Sequence, residues 1–239
     1  MFAICKKELR QFFSSLTGYI AIIIFLLLTG LFLFVFPDTN LFDYGYATLD
    51  QFFEQAPWIL LLLIPAITMR SFADEFKGGT YEILVTRPLS QWQIIAGKYL
   101  ASLVIVVIAL LPTFIYVLTI KSLSTGGIDS GGIAGSYIGL FFLTAAFTAI
   151  GVCCSSFTGN AVIAFLLSAF ICFVLFSGFN AIGRIPALQG GWDYIIEMLG
   201  LDFHYHSLSR GVVDSRDIIY FLSIIGLFLF VTGKKLLHR

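Results

Sequence analysis

Charged residues are scarce in this sequence. Asp, Glu, Lys and Arg make up only 12% of the 239 residues, and the 14 basic residues balance the 14 acidic ones. A chain with no net charge, and with no cluster of Lys and Arg interleaved with aromatic side chains, gives no reason to expect a nucleic-acid partner. Because 59% of the residues are hydrophobic, the composition is typical of a multi-pass membrane protein and argues against an ordinary soluble domain.

Cysteine is also rare. The chain has Cys5, Cys153, Cys154 and Cys172, and the last three lie within apolar runs. No pair has the CxxC spacing of a redox site or of a zinc knuckle. We therefore predict that these thiols are small packing residues, and we expect neither a disulfide nor a bound metal.

The phosphate-binding pattern G-x-x-x-x-G-K-[ST] is missing. Gly97 and Lys98 have neither the upstream glycine nor the following Ser or Thr that the pattern requires. We therefore expect no ATPase activity and no cofactor in this chain, so that any energy must come from another polypeptide. The apolar runs also lack ionisable residues, which argues against a proton-coupled carrier or an ion pump.

Histidine offers no convincing metal site. His204 and His206 are two residues apart, so they do not share a helical face, and no third ligand is evident. We place both in a loop. The segment around them, 190–210, carries an apolar stripe that includes Ile195 and Leu199, and it is predicted to form interfacial helices at the outer leaflet.

Six apolar runs are predicted to span a membrane, because a spanning helix needs about 20 apolar residues at a rise of about 1.5 Å each. No charged residue occurs between Asp129 and Arg184, which is too much apolar chain for one helix, so the polar stretch SSFTGN is taken as the turn of a hairpin. The fold class is therefore an all-α integral membrane protein with one transmembrane domain. The predicted spans are 19–36, 58–72, 99–120, 133–154, 161–179 and 218–233.

The first 17 residues, 1–17, form an amphipathic pattern. Leu9 and Phe12 lie on one helical face and Lys6 and Arg10 on the other. This pattern predicts a helix lying in the inner leaflet. It can serve either as a gate helix that moves with a partner or as a simple topology anchor, and the sequence does not choose between them.

Orientation follows from the basic residues next to the spans. If the N-terminus is inside, most Lys and Arg residues lie in the inner segments, and only Lys121, Arg184, Arg210 and Arg216 lie in the outer ones. We therefore predict that both termini are cytoplasmic.

On this topology one cytoplasmic loop is substantial, EFKGGTYEILVTRPLSQWQIIAGK, residues 75–98. Thr80 is a good cap for a short helix over 81–86, which the following Pro88 stops, and Ser90 can cap the next helix. The loop is either a solvated connector or a short rigid helix that a cytoplasmic partner can contact.

The same loop carries a family pattern. It reads E-x-x-x-G-T-x-E-x-L, then Pro, then a Lys at the next span, and this arrangement resembles the permease subunits of the ABC-2 class of ABC transporters. In that class six helices carry an N-terminal amphipathic elbow, and the loop is a coupling helix seated in a cleft of the ATPase. The matching residues are Glu75, Gly79, Thr80, Glu82, Leu84, Pro88 and Lys98.

The resemblance implies ATPase-coupling roles, either contact or loop shaping, for a defined set of residues. These are Glu75, Gly79, Thr80, Glu82, Arg87 and Pro88. No substrate residue and no catalytic residue is assigned. The implied partners are a cytoplasmic ABC ATPase, a second permease copy or a homologous membrane subunit, and the lipid bilayer.

Three further segments resemble the permease subunit of the gliding-motility ABC transporter. They are KKELRQFFSS at 6–15, APWILLLLIPAITMRSF at 56–72 and SLSRGVVDSRDIIYFLS at 207–223. Similar short permeases serve nitrous-oxide-reductase maturation. The resemblance implies a subunit of an ATP-driven exporter or mechanotransmitter in the bacterial cytoplasmic (inner) membrane. The alternative is a non-transporting membrane scaffold that docks a cytoplasmic protein.

Overall fold

The computed structural model describes residues 1–36, 48–86, 90–124, 127–184 and 192–237. Every regular element in these segments is helical, which confirms the all-α class. The α-helices are α1 Phe2–Phe13, α2 Leu16–Phe34, α3 Asp50–Thr68, α4 Arg70–Lys77, α5 Thr80–Val85, α6 Gln91–Leu110, α7 Phe114–Leu123, α8 Ser130–Phe157, α9 Ala161–Phe173, α10 Phe179–Gly183, α11 Trp192–Glu197, α12 Leu201–Leu208 and α13 Ser215–Leu237.

Within the described segments, five helical stretches are long and apolar enough to cross a membrane. A sixth is reached when α1 and α2, which bend by 72° relative to each other, are taken as one. The chain is therefore a multi-pass membrane protein with five to six candidate spans. The five stretches are Asp50–Lys77, Gln91–Leu123, Ser130–Phe157, Ala161–Gly183 and Ser215–Leu237.

The helix of the second span begins earlier than the apolar run suggests. Helix α3 starts at Asp50 and contains Pro57, whereas the sequence placed the start of the span after this proline. A proline inside a helix leaves the carbonyl four residues before it without an intrahelical donor. Here the hydroxyl of Tyr205 donates to the carbonyl of Phe53 over 2.6 Å, so the helix continues through Pro57.

Helix α8 is the central element of the bundle. In its apolar 18-residue segment 83% of the residues are buried, compared with 22% in the corresponding segments of the α9 and α13 stretches. Helix α8 packs against α3, α6, α9 and α13. Glycines permit the closest contacts, because a Cβ on Gly151 would collide with Thr68 and one on Gly139 with Leu208. Helices α3, α6, α9 and α13 therefore pack around α8.

Helix α8 also fixes the break between α3 and α4. The Oγ of Ser155 accepts hydrogen bonds from the N–H groups of Phe72 (2.9 Å) and Ala73 (3.1 Å), and it donates to the carbonyl of Met69 (2.9 Å). The first N–H groups of a helix have no partner within it. Ser155 therefore holds the start of α4 and sets the position of the segment that follows.

Candidate functional site

The connection between α4 and α5 is a tight turn built on glycine. We call this turn the elbow; it is distinct from the N-terminal elbow helix of the family pattern. Helix α4 ends at Lys77 and is capped by Gly78, whose N–H donates to the carbonyl of Asp74. Gly79 follows with φ = +64°. Residues other than glycine pay a steric cost in this left-handed region. Thr80 is not the cap predicted from the sequence, because Gly79 occupies that position. The Thr80 hydroxyl instead donates to the carbonyl of Glu75 at 3.4 Å.

Helix α5 has one packed side and one open side. The ring of Tyr81 lies 5.1 Å from that of Phe76 and 6.5 Å from that of Phe72, which anchors the helix on α4. Glu82 is exposed, and so is Ile83. The helix therefore leaves one acidic and one apolar side chain uncovered.

Helix α6 follows with the predicted cap. Ser90 accepts a hydrogen bond from the N–H of Gln93, and the Gln93 side chain accepts one from the N–H of Ser90, which makes a reciprocal capping box. Two of the predicted site residues, Arg87 and Pro88, lie outside the described residues.

Four charged residues from three helices meet behind this elbow, and we call them the ion cluster: Lys7, Glu8, Glu75 and Lys98. The Nζ of Lys98 lies 2.8 Å from Glu8 Oε1 and 3.0 Å from Glu75 Oε1, and it also donates to the carbonyl of Ser71. The Nζ of Lys7 lies 3.0 Å from the same Oε1 atom of Glu75. The cluster carries two charges of each sign, so it is neutral as a whole.

Burial strengthens the connection that the ion cluster makes between three helices. The Lys98 side chain is 0% exposed and that of Glu75 is 9% exposed. Removing a charge from water costs several kcal/mol, by an order-of-magnitude estimate, and close partners must recover this cost. Glu8, Glu75 and Lys98 therefore stay together, which ties α1, α4 and α6 to one another at the end of the molecule where the elbow lies.

Lys7 and Glu8 were not identified from the sequence as members of this site. Their pattern predicted only the polar face of the first helix. A signal was available in the apolar context IIAGKYLASLV, because a lysine that continues into a spanning helix needs a carboxylate partner. The sequence does not say which carboxylate, since Glu8 and Lys98 are 90 residues apart.

A pocket of about 450 Å³ lies beside the elbow, between α4, α5, α6 and the end of α13. Its lining combines acidic, amide and apolar side chains. The lining residues are Glu75, Phe76, Gly79, Tyr81, Glu82, Gln91, Leu236 and Leu237.

A buried contact between a histidine and an aspartate lies near the opposite end of the bundle. His204 Nδ1 is 2.7 Å from Asp217 Oδ1, and His204 Nε2 is 3.0 Å from the carbonyl of Met198. Both ring nitrogens therefore face acceptor oxygens. His204 and His206 belong to α12 and not to an irregular loop. This agrees with the prediction of helices within 190–210. In the described part of the chain no group of three or more His, Cys, Asp or Glu side chains is arranged to hold a metal.

The pair borders a pocket of about 980 Å³ that is lined by residues of both charges and by aromatic rings. Burial, with a smaller contribution from Asp202 and Glu54, raises the pKa of Tyr205 well above its ordinary value. The Tyr205 hydroxyl therefore stays protonated and remains a donor to α3.

Comparison with known protein families identifies the family of the chain. A family profile described as "ABC-2 family transporter protein" matches residues 2–230, nearly the whole chain. A search of curated proteins finds no significant match. Members of the matched family are membrane components rather than ATPases, and they generally work with a cytoplasmic ABC ATPase. On the strength of the near-complete match and the helical membrane fold, the chain belongs to the ABC-2 family of transporter proteins.

Proposed function

We propose that this chain is the transmembrane permease subunit of an ATP-driven ABC-2 exporter or mechanotransmitter. In this proposal α5 is the coupling helix that a separate cytoplasmic ATPase contacts. The observation that carries the proposal is the contrast within one short segment. Glu82 and Ile83 are exposed on α5, while Glu75, five residues before α5, is buried in the ion cluster with Lys98.

This contrast suits the transmission of force. A push on the open side of α5 passes through the packed rings of Tyr81 and Phe76 to α4. From α4 it reaches α6 and α1 through the ion cluster. Closely packed helices respond to such a push by moving as bodies rather than by deforming. ATP-driven closure of the ATPase would therefore shift the permease helices relative to a second permease subunit.

The predicted site residues divide by role. Glu82 is exposed and is assigned to ATPase contact, whereas Glu75, Gly79 and Thr80 shape the elbow and its attachment. Arg87 and Pro88 keep the roles implied by the family pattern. The link to gliding motility rests on the three resembling segments in the sequence and is part of the same proposal.

The first test is co-purification from native membranes in mild detergent, followed by an ATPase assay. The wild type should bring down a protein that mass spectrometry identifies as a P-loop ATPase. A variant in which a neutral linker replaces residues 79–87 should lose it, because the linker removes α5.

A matched control replaces residues 121–128, the last turn of α7 and the connection to α8, with a similar linker. This control should keep the ATPase, because the replaced segment lies at the predicted outer end. If the wild type recovers no nucleotide-binding protein, the scaffold alternative replaces the transporter. Loss of the ATPase in both linker variants would show misfolding rather than coupling. A single Glu82→Arg variant then tests whether this residue contacts the ATPase. Retained ATPase binding and coupled turnover would count against such a contact.

A further inference from the structure

Resting on the proposed function, we propose that the pocket beside the elbow receives a positively charged side chain of the ATPase. The carboxylates of Glu75 and Glu82 recognise this side chain. The coupling helix would then not only insert into the ATPase. The permease would also bind a side chain of its partner.

The first observation is a buried carboxylate oxygen without a donor. Glu75 is 8% exposed, and both Lys7 and Lys98 approach its Oε1 atom. Its other oxygen, Oε2, is buried and has no hydrogen-bond partner among the described residues. A buried acceptor left unsatisfied costs about 1–3 kcal/mol, and more when it is charged. Glu75 is one of the residues that line the pocket, so a donor placed there lies close to this residue.

The second observation is the charge of the pocket. The ion cluster is neutral within itself, so Glu82 gives the described part of the pocket wall a net negative charge. None of the described lining residues is basic. The two lysines closest in sequence to the Leu236 wall are directed elsewhere, since Lys234 lies over the ring of Phe230 and Lys235 over that of Phe157.

The third observation is the apolar part of the wall. Phe76, Tyr81, Leu236 and Leu237 line the pocket together with the two carboxylates. Lysine and arginine bury their aliphatic stems against apolar surface while the charged group reaches a polar partner. Aromatic rings add a cation–π attraction of about 0.5–1 kcal/mol at exposed sites. A pocket of about 450 Å³ has room for one such side chain.

The test measures the affinity of the ATPase recovered with the wild type for the full-length permease in lipid nanodiscs. Changes at Glu75 would disturb the ion cluster, so the variants alter the pocket charge elsewhere. Glu82→Gln removes one charge with little change of shape and should raise the Kd about three-fold at low salt. Gln91→Glu adds a carboxylate to the wall and should lower the Kd by a similar factor, and both effects should shrink as salt is raised.

Gln51→Glu is the matched control. Gln51 lies in the first turn of α3, as Gln91 lies in the first turn of α6, but near the opposite end of the bundle. The Kd of the ATPase for the Gln51→Glu variant should equal its Kd for the wild type. Unchanged Kd values for Glu82→Gln and Gln91→Glu at low salt would overturn the inference and leave Oε2 of Glu75 to water. Failure of the wild type to bind any ATPase would instead overturn the proposed function itself.

Discussion

At the scale of single residues, Lys98 has the most demanding position in the described chain. Its ammonium group is fully buried at the start of a spanning helix and is surrounded by two carboxylates and a backbone carbonyl. A neutral side chain of similar length would need no such partners. The lysine therefore fixes which carboxylates must come together, and Glu8 and Glu75 lie on different helices.

Lys98→Met should lower the free energy of unfolding by about 3–5 kcal/mol, because it leaves Glu75 buried with only the half-exposed Lys7 as a partner. The measurement is thermal unfolding in detergent, followed by tryptophan fluorescence. Lys77→Met is the control on α4, since Lys77 is exposed, and it should change the stability by less than about 0.5 kcal/mol. Equal melting temperatures for the two variants would show that the ion cluster contributes little to stability.

At the scale of the helices, α3 shows what local patterns can and cannot predict. Proline was interpreted as the start of the span because it removes a helical hydrogen bond. The helix itself starts at Asp50 and continues through Pro57, where Tyr205 satisfies the freed carbonyl of Phe53 although the two residues are 152 apart in the chain. By contrast, the cap at Ser90 depends on neighbouring residues, and the sequence indicated it. The cap of α5 was predicted one residue too late, at Thr80 instead of Gly79.

Tyr205→Phe should destabilise the protein by about 1–3 kcal/mol, because the buried carbonyl of Phe53 loses its donor. In a Pro57→Ala background the same change should cost less, since the introduced alanine supplies an N–H group that can bond to this carbonyl within the helix. A double-mutant cycle of unfolding free energies measures the difference, with an expected coupling of about 0.5–3 kcal/mol. Additive effects would show that the Tyr205 hydroxyl does not compensate for the proline.

At the scale of the whole molecule, the composition was sufficient for the class, but not for the contacts between distant segments. Scarce charge and long apolar runs predicted a helical membrane protein. The ion cluster could not be predicted, because Lys7 and Glu75 are 68 residues apart and Glu8 and Lys98 are 90 apart. Hydrophobic periodicity shows which face of a helix is buried, but not which helices become neighbours.

The fold brings together segments that the basic-residue rule assigns to one side of the membrane. The N-terminal helix meets the loop through Lys7 and Glu75, and the end of α13 meets it through Leu236 at the pocket. Asp217 and His204, assigned to the other side, form their own pair. The two groups of contacts therefore agree with one topology, in which the elbow and both termini share a side.

The final prediction concerns which side that is. In intact cells a membrane-impermeant maleimide should label Arg210→Cys and leave Glu82→Cys unlabelled, because the loop is predicted to be cytoplasmic. Both variants carry Cys5→Ser, since Cys5 is partly exposed while Cys153, Cys154 and Cys172 are buried. Cell lysis should make both positions react, which controls for accessibility. The reverse pattern would place the elbow and its acidic pocket outside the cell, where no cytoplasmic ATPase could reach Glu82. In that case the coupling role would fail, although the fold and the family would stand.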